Sequence, residues 1–166
     1  VTDMSYMFSS CDSLTALDLR NFDTSHVTNM ASMFSTCFSL RDLDISSFDT
    51  SLVTDMSYMF TGLWLTDLDV SSFDTSSVTD MSLMFHACIG LTDLDVGNFD
   101  TSHVTDMEGM FYNCTSLANL AVDSFDTSLV YDMSYMFYGC DNLADLDLSS
   151  FDFSNVESYD CFMDNG

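Results

Sequence analysis

A unit of 25 or 26 residues recurs six times in this chain, and that periodicity limits the fold more than any single residue does. Aligned on its cysteine, the unit starts at Cys11, Cys37, Leu63 (where the cysteine is lost), Cys88, Cys114 and Cys140, with a half unit over 1–10 in front. Repetition at this period, without long insertions, marks a solenoid in which each repeat packs on its neighbours and none can bury its apolar face alone. The sequence therefore predicts a single repeat domain over 1–166, not a compact globular fold.

Two hydrophobic rhythms alternate inside the unit. In Leu40-Arg41-Asp42-Leu43-Asp44-Ile45, apolar Leu43 and Ile45 point one way and Asp42 and Asp44 the other, as in a half-buried strand. In Val53-Thr54-Asp55-Met56-Ser57-Tyr58-Met59-Phe60, apolar residues fall at Val53, Met56, Met59 and Phe60, a spacing that predicts a short helix. Asp49-Thr50-Ser51 would cap that helix, and Asp55 would sit in its first turn, where the helix dipole favours a carboxylate. The core expected from this phase comprises Leu17, Leu19, Leu43, Ile45, Leu68, Val70, Leu94, Val96, Leu120, Val122, Leu146 and Leu148, with the Met and Phe residues of the helical segments. Between Phe60 and Leu65 one residue is missing, so the corner carrying Trp64 must be tighter than the others.

The runs Leu40-x-x-Leu43-x-Ile45, Leu91-x-x-Leu94-x-Val96 and their four counterparts match the L-x-x-L-x-L core of leucine-rich repeats. More narrowly, Phe-Asp-Thr-Ser-x-Val-Thr-Asp-Met-Ser-x-Met-Phe resembles the repeat of BspA-type bacterial surface proteins, a leucine-rich-repeat family. The resemblance implies an α/β leucine-rich-repeat solenoid, with a parallel sheet on one face and short helices on the other. It also implies an extracellular, cell-surface or secreted protein that adheres to a protein or glycan on a host or neighbouring cell. The alternatives are a structural repeat whose copies stack end to end into a rod or filament, and a calcium-dependent acidic surface.

Composition narrows the partners. The net charge is −25, with two Arg, no Lys, and Asp as every acidic residue but Glu108 and Glu157. That balance argues against nucleic acid and anionic membranes, which require basic patches, and apolar runs of a few residues are too short to span a bilayer. Histidines at 26, 86 and 103 are scattered and Ser and Thr recur in every repeat, so no nucleophile and base are singled out and no enzyme is expected.

The aspartates fall into columns. Asp23, Asp49, Asp74, Asp100, Asp126 and Asp152 suit turns, and the Asp55 column suits helix starts. The strand aspartates, Asp42, Asp67, Asp93 and Asp145 in one row and Asp18, Asp44, Asp69, Asp95 and Asp147 in another, have no such local reason. Parallel strands would hold them about 4.8 Å apart, a repulsive spacing. They form either a face that recruits cations and basic partners or a merely solvated one. The binding residues expected are Asp42, Asp44, Asp67, Asp69, Asp93, Asp95, Asp145 and Asp147, with weakly bound calcium at Asp67, Asp69, Asp93 and Asp95 as the candidate cofactor. The cysteine column lacks C-x-x-C metal spacing and reads as a row of buried free thiols.

Overall fold

The structure is a computed structural model and describes residues 1–163; the last three residues of the expected domain lie outside the described residues. Equivalent residues of successive repeats lie side by side. Parallel bridges join Asp3 to Asn29, Asn29 to Asp55, Asp55 to Asp80, Asp80 to Asp106, Asp106 to Asp132 and Asp132 to Ser158, so one position per repeat forms a continuous line across the molecule.

The expected helices are absent: among the described residues there is no helix, and the only strands are β1 (Asp93–Leu94) and β2 (Asn119–Leu120), which pair in parallel. This overturns the α/β solenoid with a sheet on one face and helices on the other. The segment expected to be helical, 53–60, is instead a succession of overlapping turns. Met59 donates its N–H to the Met56 carbonyl, Thr61 to Tyr58 and Leu63 to Phe60. Tyr58 and Gly62, the third residues of the first and last of these turns, are left-handed, with φ of 58° and 72°, as a type II turn demands.

The physical reason lies in where the remaining N–H groups go. Met56, Tyr58, Phe60 and Gly62 donate to the carbonyls of Asp80, Ser82, Met84 and His86 in the next repeat, at 2.7 to 3.0 Å. A helix of two turns would keep these bonds to itself and be marginal alone. The turns spend half of them on the neighbour, so every repeat is stitched to the next. Apolar residues three apart still share one face in this arrangement, which is why the pattern imitates a helix.

The interior is filled as the periodicity requires. Phe8, Phe34, Phe60, Phe85, Phe111 and Phe137 stack face to face with ring centroids 5.6 to 6.0 Å apart. The residues expected to form strands are buried from Leu19 to Val122, though only Leu94 and Leu120 lie in strands, and the face they underlie is called the strand face below; Leu17, Leu146 and Leu148 are half-buried and pack against the core. Each such ring or leucine removes apolar surface from water at about 25 cal/mol per Å².

A second line of stitches uses side chains. The buried hydroxyl of Thr50 donates to the Asp74 carbonyl at 2.9 Å and accepts the Asp74 N–H at 2.8 Å. Thr24, Thr75, Thr101 and Thr127 repeat the arrangement. Thr50 therefore clamps the following repeat, where the sequence predicted that it would cap a helix.

The shortened third repeat makes its corner differently from the others. The turn that closes the other repeats, such as Leu40 N–H to the Cys37 carbonyl, has no counterpart at Leu65. A Cβ placed on Gly90 would lie 2.5 Å from the Leu65 carbonyl oxygen, so glycine is required where the two backbones meet.

Candidate functional site

Most of the aspartates are tied into the backbone. In the corner column, Asp49 accepts the N–H of Ser51 at 3.1 Å and its hydroxyl at 2.7 Å, an Asx turn that Asp23 and Asp100 repeat. Hydrogen bonds from the serine hydroxyl first, and the serine N–H second, hold the carboxyls of Asp23, Asp49, Asp100, Asp126 and Asp152 below the ordinary value. The Asp55 column makes the same turn on the bridged line, Asp55 accepting from Ser57 and Asp132 from Ser134. No helix dipole is involved, which corrects the reason expected for that column.

The strand face divides in a way the sequence did not reveal. Asp18, Asp44, Asp69, Asp95 and Asp147 accept the N–H two residues ahead, from Arg20, Ser46, Ser71, Gly97 and Ser149. They are turn-formers after all. The side-chain bond from Arg20 takes the Asp18 carboxyl down to about 2, and serine hydroxyls lower Asp44, Asp69 and Asp147.

In the other row, Asp93 accepts from the Thr92 hydroxyl and the Asn119 amide, which lower its carboxyl in that order. That amide faces Asp93 where β1 and β2 pair. Asp42, Asp67 and Asp145 are exposed and hold no hydrogen bond or ion pair within the described residues.

Depressions lie along this face. One of about 760 Å³ is lined by Asp93, Asp95, Asn119, Asn142 and Asp145 around a floor that includes Ala118 and Ala144. It opens where small residues replace the Thr66 and Thr92 of earlier repeats. A second touches Asp145 and Asp147, and a third Asp18 and Asp44. The structure thus brings Asp93, Asp95 and Asp145 to one hollow, with Asp147 at its neighbour, while Asp42, Asp67 and Asp69 line none of the three. Among the described residues no three His, Cys, Asp or Glu side chains converge as they would around a metal ion, at Asp67, Asp69, Asp93 and Asp95 or elsewhere.

The cysteine row consists of free thiols. Cys37, Cys88, Cys114 and Cys140 donate to the carbonyls of Phe8, Phe60, Phe85 and Phe111, 28 or 29 residues earlier in the chain, at 3.0 to 3.2 Å. Burial pushes the Cys88 thiol up to about 12 and Cys140 to about 11, leaving them poor nucleophiles.

Sequence reasoning missed the turn side. Tyr6, Tyr58 and Tyr135 stand exposed there, Tyr112 stacks on His86 at 4.8 Å, and Tyr131 donates its hydroxyl to Asp106 at 3.1 Å. Burial raises the carboxyls of Asp106 and Glu108 and lowers the His86 imidazole. The signal was present in the sequence, since Glu108 stands where Ser5, Ala31, Ser57, Ser82 and Ser134 stand in other repeats.

A family model described as "Mycoplasma protein of unknown function, DUF285" matches residues 2–93 and again 89–165. No curated protein matches the sequence. Among solved structures, the chain is similar to a leucine-rich repeat protein of T. pallidum, at 16% identity and a TM-score of 0.36. The match covers 88% of this chain and 62% of that protein. The BspA-type resemblance is a finer assignment than these matches reach.

Proposed function

We propose that this chain, which belongs to the DUF285 family, is a non-enzymatic recognition module acting outside the cell, with the strand face as the surface that meets a protein or glycan. The observation that carries the reading is the division of the strand aspartates. One row is spent on turns, whereas Asp42, Asp67 and Asp145 are exposed and unpartnered, on the face that also carries the depressions. Carboxylates without an internal role suit an external donor, whether a sugar hydroxyl or a basic side chain. The chemistry available is recognition: each Ser, Thr and Asp recurs from repeat to repeat, and no residue pair is set apart as a nucleophile and its base.

The test is binding of the whole chain to immobilised glycans and to basic and acidic proteins, compared with the variant Asp42→Asn/Asp67→Asn/Asp145→Asn. Loss of a saturable interaction in the variant, with an unchanged melting curve, supports the reading. Equal binding by both chains removes the strand face as the site.

A further inference from the structure

The turn side carries tyrosines where the backbone discourages them. Tyr6, Tyr58 and Tyr135 have φ of 58°, 58° and 60°, in the left-handed region that favours glycine, and Gly109 fills the same column at 54° without that strain. The three side chains are 66%, 42% and 38% exposed. Every repeat keeps this angle, Ser32 at 57°, Leu83 at 55° and Cys161 at 51° among them, so it belongs to the turn, and three repeats place an exposed tyrosine at its tip.

Carboxylates run alongside, since Asp80, Asp106 and Asp132 succeed one another on the bridged line, three residues before the column that holds these tyrosines. The Tyr135 ring lies 5.8 Å from Tyr112, and Tyr131 is bonded to Asp106. Burial first, and then the charges of Glu108, Asp80 and Asp106, push the Tyr58 phenol up. Asp132 in turn acts on both Asp106 and Glu108. Neither arginine serves this side: Arg20 is paired with Asp18 at 2.7 Å, and Arg41 is bonded to the carbonyls of Phe38 and Leu40.

We propose that this tyrosine and carboxylate surface docks an arginine-rich segment of a partner protein. A guanidinium is weakly hydrated, lies flat on an aromatic ring and forks onto a carboxylate at once, a combination that an ammonium matches poorly. The molecule already sets a guanidinium against a ring elsewhere, with that of Arg41 5.9 Å from the centre of the Trp64 ring. With a net charge of −25, the chain also attracts such a segment from a distance. A neutral sugar would use the rings but gain nothing from the charge. The proposal concerns the side opposite in role to the strand face and does not depend on the strand-face reading.

The experiment titrates the chain with labelled oligoarginine and oligolysine peptides of equal length, at low and high salt. Oligoarginine is expected to bind several-fold tighter, and Tyr135→Ser and Glu108→Gln each to weaken it by about 3- to 10-fold. Serine is chosen because Ser32 occupies the same column at φ 57°. The strand-face variant Asp42→Asn/Asp67→Asn/Asp145→Asn should change oligoarginine binding by less than about twofold. Melting curves accompany each variant, and if Tyr135→Ser unfolds the chain, Tyr58→Ser replaces it. Equal affinity for the two peptides, or an equal loss from substitutions on either face, would reduce the interaction to bulk charge attraction and overturn the proposal. Binding of immobilised neutral glycans that Tyr135→Ser abolishes would overturn it in favour of a sugar.

Discussion

The Thr101 hydroxyl gives its proton to the Asp126 carbonyl at 2.9 Å and takes the N–H of the same residue at 2.8 Å. One side chain thereby satisfies both backbone groups of a residue in the next repeat. Thr101→Val keeps the shape but strands a buried donor and acceptor. It should cost about 1 to 3 kcal/mol in denaturant unfolding, while Thr101→Ser should cost clearly less.

Gly90 meets the Leu65 carbonyl at a distance no Cβ tolerates. Gly90→Ala should force the third and fourth repeats apart and lower stability by about 1 to 3 kcal/mol. Gly97, whose added Cβ would meet only an Asp95 carboxylate oxygen at 3.2 Å, is the control and should be much milder.

Stability should pass through a maximum in mild acid. The Asx-turn carboxyls of Asp23, Asp49, Asp100, Asp126 and Asp152 are depressed in the fold, so their contribution is present above the unfolded value near about 4 and lost as pH falls through the folded values. Asp106 and Glu108 are raised, so their contribution is full below the unfolded value and lost as pH rises through the folded ones. Melting temperatures should therefore rise as pH is lowered from neutrality through the raised folded values of Asp106 and Glu108, and fall once pH drops below about 4. Asp106→Asn should flatten the rise and leave the acid collapse in place.

Thiol labelling of the native chain should be strongly uneven. Cys161 is exposed, whereas burial raises the thiols of Cys37, Cys88, Cys114 and Cys140. A thiol reagent at pH 8 should modify Cys161 well before these four, and denaturant should equalise them. Uniform labelling in the native state would count against the buried row.

Calcium offers a check on the strand face. The turn bonds of Asp69 and Asp95 engage an oxygen that a cation would need. Sodium and calcium chlorides at matched ionic strength should accordingly raise the melting temperature by similar amounts, through screening. A distinctly larger shift with calcium would show ligation by Asp67, Asp69, Asp93 and Asp95.

The repeat register, the buried leucine phase and the corner turns could be read from the chain because each depends on local side-chain chemistry. The turn segments could not be read from Val53, Met56, Met59 and Phe60, since residues three apart share a face in a helix and in overlapping turns alike. Gly62, Gly109, Asn113 and Gly139 were the overlooked clue, for a left-handed backbone suits them and a helix interior does not. Likewise Asp44 and Asp42 look equivalent in sequence, and only the chain reversal after Ile45 brings the Ser46 N–H back to Asp44.

The alternating N–H ladder has a consequence for how such a chain can change over generations. Its bonds run from one repeat to the next and, among those described, none skips a repeat. A gene duplication or loss of one whole unit would therefore rejoin two compatible faces without repacking anything further away. Copy number can drift while each surviving unit keeps its own exposed residues. The missing residue before Leu65, with Gly90 fitted against it, is the exception: those two neighbouring units can be gained or lost together far more easily than apart.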